Sequence, residues 1–516
     1  MVVLGTFRAM EFSGLFSVVM KIAIFLLCLL SVQPQSRALP QSDDLAIKSQ
    51  QAKQLMAEGN FVRAVPLYRE LNQAVPNNAG LKLNLGIALH MAGKKREAIP
   101  ELEAAVKLDA TLEPAWLFLG TTRLQLGEPT AALRPLKMAL SLEPDQPQAR
   151  QMLAGALLSL GRPDEAAAEY RKLTVADPEN AQGWYGLGRS YESLSGRSFD
   201  DLQKTAPQSA YLLSLLAETR LREQQLSSAF FLYRRALEQM PTLRGLHTGV
   251  AQIYRQTGHP DWAETEDRKE SQLPAPDCHI EKLECQFNAG EFDELTVAAK
   301  QPNAESFYWQ SRAYNELALQ AFAKLGQLPP SPELHELKAH IYNSQKKYSE
   351  AASEWREALK LSPTDTQIKK DLAISLKLGQ DYEAALPLLQ ALLREQPTSA
   401  ELNFLVGDTL LDRERADEAL PLLQRAVTRD PKSLAAHKSL ARAELAAGKP
   451  VQAIPHLKLA LPTDEDGTLH YQLAQAYRAS GQTDLAKKAL QEYEQIQRSA
   501  AAARESAKQE TVITPP

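Results

Sequence analysis

Apolar positions recur at helical spacing along most of the chain, and between Thr366 and Ser433 the pattern is written twice. Leu372, Ala373 and Leu376 form one stripe, which ends near Gly379; Ala385, Leu388, Leu389 and Leu392 form a second, which ends before Pro397. These spacings put the apolar side chains on one face of each of two helices. Pro397 opens the connection to the next unit, because proline is disfavoured inside a helix. The unit then starts again at one constant interval: Ala373 answers to Gly407, Ala385 to Ala419, Leu389 to Leu423 and Pro397 to Pro431. A fixed period of about 34 residues marks a repeat architecture, in which two short helices gain their stability by stacking on the next pair.

The period is kept over long stretches. Ala64, Ala98, Ala132 and Ala166 form one series and Ala351, Ala385, Ala419 and Ala453 another, each step one period. Trp184, Leu187, Gly188 and Tyr191 head one unit, and Trp116, Leu119 and Gly120 head another. Ala64 with Tyr68, Ala166 with Tyr170, Ala229 with Tyr233 and Ala351 with Trp355 mark second helices. In these residues the sequence resembles the tetratricopeptide repeat, whose pattern is W-x2-L-G-x2-Y, then A-x3-F, then P. The resemblance implies an all-α fold, a right-handed α-solenoid (superhelix) of about 14 helix-turn-helix units.

The phase divides the chain. Repeats 1–4 are expected over 45–180 and repeats 5–7 over 181–273. The fifth is expected to be shortened, since the step from Ala166 to Ala229 falls five short of two periods. The loss falls between Ser195 and Ala210, so a short or bent second helix is expected there. The step from Ala263 to Ala351 falls fourteen short of three periods, so 274–331 reads as two degenerate helical pairs. Repeats 10–14 with a capping helix are expected over 332–498, and a disordered tail over 499–516. Pro66, Pro100, Pro387, Pro421 and Pro455 each stand two positions after a key alanine and are expected near the first helical turn, where N–H groups lack helical partners.

Residues 1–38 read as a signal peptide. Met20-Lys21 precedes the apolar run Ile22 to Leu30, and Ser36-Arg37-Ala38 is a small-x-small site, with cleavage expected after Ala38. Translation from Met20 would remove the unusual first residues. The rival reading is an uncleaved anchor over Leu15 to Val32, just long enough to span, with Lys21 as its charged member. Cys28 follows Leu27 rather than a small residue, which argues against a lipoprotein site. These readings place the repeats outside the cytoplasm, periplasmic or secreted, with membrane association confined to the N-terminal segment.

Charge adds an exclusion. The formal net is −5 with both signs mixed, which argues against a nucleic-acid partner reached by bulk charge. Cleavage would remove three basic residues and one acidic residue, a net of −7. No phosphate loop, H-E-x-x-H or G-x-S-x-G is present, and neither an enzymatic activity nor a cofactor is expected. His247, His335, His437 and His470 share the fourth repeat position with Trp116 and Trp184, a slot for packing between helices. Cys278, His279 and Cys285 lack zinc spacing, and no metal site is expected. Seven residues of helix span about 10.5 Å, too far for a disulfide, so Cys278 and Cys285 can pair only if Cys278 lies in the loop led by Pro274 and Pro276; two reduced cysteines are the other reading.

The family resemblance implies that first helices line a concave groove, faced by repeat positions 2, 5, 9 and 12. At or beside those positions stand Leu83, Ile87 and Leu117, with Met152 and Leu158, making an apolar early stretch. Tyr185, Arg189 and Arg255 follow in the middle, then Lys438, Arg442, Tyr471, Gln475 and Arg478. Lys438, Arg442, Tyr471 and Arg478 are expected to form one positive patch for acidic partners; the plainer reading is a set of solvated helix faces. The family's carboxylate clamp is not expected, since Asn84 alone matches it. The function implied is a non-enzymatic protein–protein interaction scaffold that binds peptides or partner helices. The alternatives are a regulatory subunit of an envelope catalytic complex and a glycan-binding solenoid.

Overall fold

The computed structural model describes residues 41–510 and 512–516. The leader over 1–38, its cleavage after Ala38 and the rival anchor lie outside the described residues. Within them the regular structure is 26 α-helices and one short 3-10 segment. Eight come first: α1 (Gln41–Ala57), α2 (Phe61–Ala74), α3 (Ala79–Met91), α4 (Lys95–Leu108), α5 (Glu113–Gln125), α6 (Pro129–Leu142), α7 (Pro147–Ser159) and α8 (Pro163–Ala176). A long helix follows, α9 (Ala181–Thr205), then α10 (Ala210–Arg222), α11 (Leu226–Gln239), α12 (Leu246–Gln256), α13 (Pro260–Ser271), α14 (Lys282–Asn288) and α15 (Phe292–Ala298). A second long helix, α16 (Ala304–Gln327), precedes α17 (Pro332–Ser344), α18 (Tyr348–Leu361), α19 (Thr366–Leu378), α20 (Tyr382–Glu395), α21 (Ala400–Asp412) and α22 (Ala416–Arg429). The last are α23 (Leu434–Ala446), α24 (Pro450–Ala460), α25 (Thr468–Ala479) and α26 (Thr483–Glu510).

Local chemistry sets the boundaries. Many first helices open on a side-chain cap: Asn78 accepts from the Leu81 N–H, Ser399 from Leu402 and Ser433 from Ala436. The turn into the second helix needs a left-handed residue. Gly59, Gly93, Gly127 and Gly161 supply it early (φ +68° to +77°), whereas Gln380 and Glu414 adopt φ +63° and +60° at the same place. The prolines sit deeper than the first turn: Pro66, Pro100, Pro387, Pro421 and Pro455 are each the sixth residue of their helix. They are tolerated for a different reason. Each removes a bond to the carbonyl one turn back, and the residues that carry those carbonyls, Val62, Arg96, Glu383, Asp417 and Val451, are exposed, so the loss falls on the solvent side of the helix.

Pairs close through a small residue. A Cβ added to Gly86 would strike Leu102, one on Gly120 would strike Leu136, and one on Gly407 would strike Leu423. Each partner stands at the same place in the second helix of the same pair. Gly188 of α9 has this relation with Phe322 of α16. The two long helices make the most extensive helix–helix contact among the described residues. Ser195 Oγ lies 2.9 Å from the Ser311 carbonyl and 3.1 Å from its hydroxyl, and the Tyr191 and Tyr314 rings stack at 6.2 Å. The fifth pair is therefore α9 with α16, and α10–α15 form an arm inserted between its two helices. The expected short or bent helix over 195–210 is instead the continuation of α9 to Thr205. The described helices make thirteen antiparallel pairs, against the fourteen expected.

The core follows this plan. One cluster of buried side chains runs from Ala52 through the early pairs to Leu187, Tyr191 and Leu194 and takes in Leu317, Ala318 and Ala321 of α16. A second holds the arm together with Leu202 of α9 and Tyr308, Trp309 and Ala313 of α16. Each long helix thus serves the main solenoid with one half and the arm with the other. Within the arm Cys278, in the turn before α14, forms a disulfide with Cys285 of α14, their Cα atoms 5.6 Å apart. At the chain end α26 runs to Glu510, and beyond it Ile513 packs against the arm and the Thr514 carbonyl bonds to Tyr254.

Candidate functional site

Successive first helices touch one another (α3 with α5, α5 with α7, α7 with α9, α21 with α23), whereas second helices keep farther apart. The stack is tighter on the first-helix side, so that side is concave. Because α9 and α16 form one pair, the next first helix after α9 is α17, and the two are in contact. The inner face therefore passes from Tyr185 and Arg189 of α9 directly to Glu336 and His340 of α17, with the whole arm lying between them in the chain.

The electrostatics record that meeting. Arg189 donates to Glu192 at 2.6 Å. Burial, then the neighbouring Glu333, Asp365 and Asp371, push the Glu336 carboxyl well above the usual range, and Arg189 opposes this. Burial pushes Asp371 up to about 6. Burial, with Arg189 nearby, lowers His340 to about 4, so its imidazole is neutral at pH 7. Beyond α17 the face becomes a ladder of ion pairs. Lys370 of α19 meets Glu401 of α21 at 3.3 Å. Lys377 bonds Asp408 at 2.7 Å and Asp412 at 2.9 Å. Arg442 of α23 lies 3.7 Å from Asp408 and 3.2 Å from Asp412, and Ser439 donates to Asp408 at 2.6 Å.

The sequence-derived groove residues fall into four groups. Leu83, Ile87, Leu117 and Tyr185 are between 3 and 8 % exposed; the three aliphatics belong to the core cluster, so the early stretch is packed rather than open. Arg189 and Arg442 lie on the inner face, but each is ion-paired, which removes Arg442 from the expected positive patch. Lys438, Gln475 and Arg478 are exposed, and Tyr471, 45 % exposed, lies against the Tyr493 ring at 5.4 Å. Arg255 lies in the arm, paired with Asp267 of α13. Sequence reasoning missed Glu336, His340, Lys370, Lys377 and Asp408. All stand at positions 5, 9 or 12 of the units opening at 332, 366 and 400, so the same spacing, carried through those units, finds them.

The fourth-position histidines work inside their own pairs. His247 reaches Glu266 at 2.5 Å, His335 reaches Glu354 at 2.7 Å and His437 reaches His456 at 2.8 Å, all at one constant separation in sequence. Lys82 with Glu101 and Arg150 with Glu169 make the same link. His470 instead takes Asp464 at 2.5 Å. Among the described residues no group of three His, Cys, Asp or Glu is placed to hold a metal, and no helix is long and apolar enough to cross a membrane.

Family models match the repeat stretches on either side of the arm. Models described as tetratricopeptide repeat match residues 55–120, 123–189 and 410–468, further ones match 92–150 and 370–433, and another matches 332–365 and 467–499. The arm lies outside every matched stretch. A 130-residue stretch is 30 % identical to DnaJ homolog subfamily C member 7 of Mus musculus and 29 % identical to that of Homo sapiens. Each match spans 25 % of this chain and 25 % of the relative. Among solved structures, MamA from Desulfovibrio magneticus RS-1 is 20 % identical with a TM-score of 0.30, over 33 % of this chain and 96 % of that one. A further MamA structure is 23 % identical with a TM-score of 0.29, over 39 % and 94 %. With repeat models of one description covering more than half of its length, the chain belongs to the tetratricopeptide repeat family.

Proposed function

We propose that this tetratricopeptide repeat scaffold works outside the cytoplasm and holds a partner polypeptide along the inner face of α9, α17, α19, α21 and α23. The observation that carries the reading is the continuity of that face: Tyr185 and Arg189, then Glu336 and His340, then the Lys377–Asp408–Arg442 ladder. Five first helices at roughly 10 Å spacing give a track of about 40 Å, the length of an extended segment of about twelve residues. Where Glu336, Glu333, Asp365 and Asp371 crowd together, a lysine or arginine of the partner would relieve their repulsion. The partner is thus a protein segment with a basic residue near its middle.

Export is supported by the apolar run and small-x-small site of the leader. It is also supported by the Cys278–Cys285 bond, of a kind that persists in oxidising compartments. The test replaces Phe404, at position 5 of α21, with a photo-crosslinking phenylalanine analogue, and Arg425 on the outer helix α22 as control. Irradiation of envelope fractions is expected to capture a partner from position 404 and none from 425; equal capture from both would count against the inner face. Terminal sequencing of the same protein is expected to begin Leu39-Pro40-Gln41, and an intact leader would replace cleavage with anchoring.

A further inference from the structure

The arm carries an aromatic site that the groove does not use. Phe230 of α11, Tyr254 of α12 and Trp262 of α13 converge, with Tyr254 5.6 Å from Phe230 and 5.4 Å edge-on from Trp262. Trp262 in turn stacks on His259 at 3.9 Å. Three side chains from three helices here present one apolar surface with a single phenol at its edge. That surface is covered. The Tyr254 hydroxyl donates to the backbone carbonyl of Thr514 at 2.6 Å, and Ile513, like Trp262, packs against the buried cluster that contains Phe230 and Tyr254. Val512, on the other side of the segment, is 62 % exposed.

The covering segment has the chemistry of a ligand rather than of a helix. Thr514 precedes Pro515-Pro516, which holds it extended and removes two backbone donors. An extended strand turns alternate side chains to opposite sides, so Ile513 faces the buried cluster of the arm while Val512 faces water. The contact consists of one β-branched side chain packed on the buried cluster of the arm and one backbone carbonyl bonded to a phenol. That is how a short peptide is read, by a side-chain anchor plus a main-chain bond.

We propose that α11–α13 form a peptide-docking site for an extended Ile-Thr-Pro-Pro segment, and that the chain's own residues 512–516 occupy it. The occupied site ties the last helix, α26, which also touches α11, to the inserted arm. An external segment of the same chemistry binds only by displacing the internal one. The internal segment competes at an effective concentration of about 1 mM, so the resting site is closed to weak external ligands.

The probe is a fluorescent peptide spanning Gln509 to Pro516, titrated by anisotropy into the full chain and its variants. Ile513→Asp in the chain removes the anchor from the internal segment and leaves the site intact. Its chain is expected to bind the peptide about tenfold more tightly than the unmodified chain does, since the internal competitor is gone. Adding Tyr254→Phe is expected to weaken that binding several-fold while helicity is unchanged, and a peptide carrying Ile513→Asp is expected not to bind. Equal affinity of the Ile513→Asp and unmodified chains would overturn the proposal. A photo-crosslinker at exposed Val512 of the otherwise unmodified chain gives a test that does not depend on the folding of that variant. Crosslinks to α11–α13 of the same chain are expected. Crosslinks elsewhere, or to a second copy, would overturn the internal docking.

Discussion

Gly188 and Phe322, which stand on opposite sides of the arm in sequence, are related in space as Gly86 and Leu102 are within one ordinary repeat. The missing side chain of Gly188 lets the Phe322 ring lie over the backbone of α9; a Cβ there would fall 2.3 Å from the ring. Gly188→Ala is therefore expected to lower stability by about 1–3 kcal/mol, the scale of core overpacking. Gly326→Ala, on the same helix as Phe322 but with open space around it, is the control. It is expected to change stability by less than about 1 kcal/mol, in the favourable direction set by helix propensity. Thermal or urea unfolding reads both; equal effects would detach Gly188 from the pairing.

The ion-pair ladder makes a prediction opposite to that of a free positive patch. The side chains of Lys377, Asp408 and Asp412 are 17 %, 14 % and 19 % exposed, while Arg442 is 37 % exposed. Lys377→Ala leaves two neighbouring carboxylates with Arg442 as their remaining partner and is expected to cost about 1–3 kcal/mol. Arg442→Ala is expected to cost less than about 1 kcal/mol. The double variant is expected to lose more than the two single losses together, since each cation partly covers for the other. Additivity in a double-mutant cycle would show that the two do not share the aspartates.

Two buried glutamates set a pH dependence. Burial, with a smaller contribution from Glu143, pushes Glu113 up to about 7; burial does the same for Glu444, against a smaller opposing effect from Lys449. Each has one carboxyl oxygen buried without a hydrogen-bond partner. A carboxyl whose folded value is raised favours folding least once it must ionise. Its cost is absent below the unfolded value of about 4.3, grows as pH rises, and is complete above about 7. Glu444→Gln is expected to stabilise the chain by about 1–3 kcal/mol at pH 8 and to have little effect at pH 4.5. Thermal melts at the two pH values decide it, and an equal gain at both would remove ionisation as the cause.

Glu414 holds φ +60° in the turn before α22, where earlier repeats use glycine. The left-handed conformation costs an L-residue about 1–2 kcal/mol, and glycine's freedom in the unfolded chain returns part of that. Glu414→Gly is expected to raise stability by about 0.5–1 kcal/mol, measured by urea unfolding. A loss would mean that the Glu414 side chain contributes more than its backbone strain costs.

The helices, their pairing and the period were legible because small and apolar residues must recur wherever pairs stack, as Ala351, Ala385, Ala419 and Ala453 do. The split pair was not. Phase registers residue spacing, and an insertion between the helices of one pair looks the same as a run of degenerate repeats. Gly188 carried the family signature, but nothing local to it names Phe322 as its partner. The groove was half legible for the same reason. Positions 2, 5, 9 and 12 locate Arg189 and Arg442, but the neighbours that neutralise Arg442, Asp408 and Asp412, come from the preceding repeat. The burial of Leu83, Ile87 and Leu117 depends on how tightly the early pairs coil. Nothing local to residues 512–516 names a contact for them, because Tyr254, the partner of the Thr514 carbonyl, lies in a helix far back along the chain.

The closure of the fifth pair by α16 is what brings Tyr185 and Arg189 beside Glu336 and His340, and one crosslink tests it directly. Ser195 and Ser311 face each other with their hydroxyl oxygens 3.1 Å apart. In a Ser195→Cys, Ser311→Cys chain, mild oxidation followed by peptide mass mapping is expected to show a bond joining the peptide of α9 to that of α16, beside the native Cys278–Cys285 bond. Two free thiols at 195 and 311 in a folded, helical protein would contradict the split pair, and with it the continuous inner face.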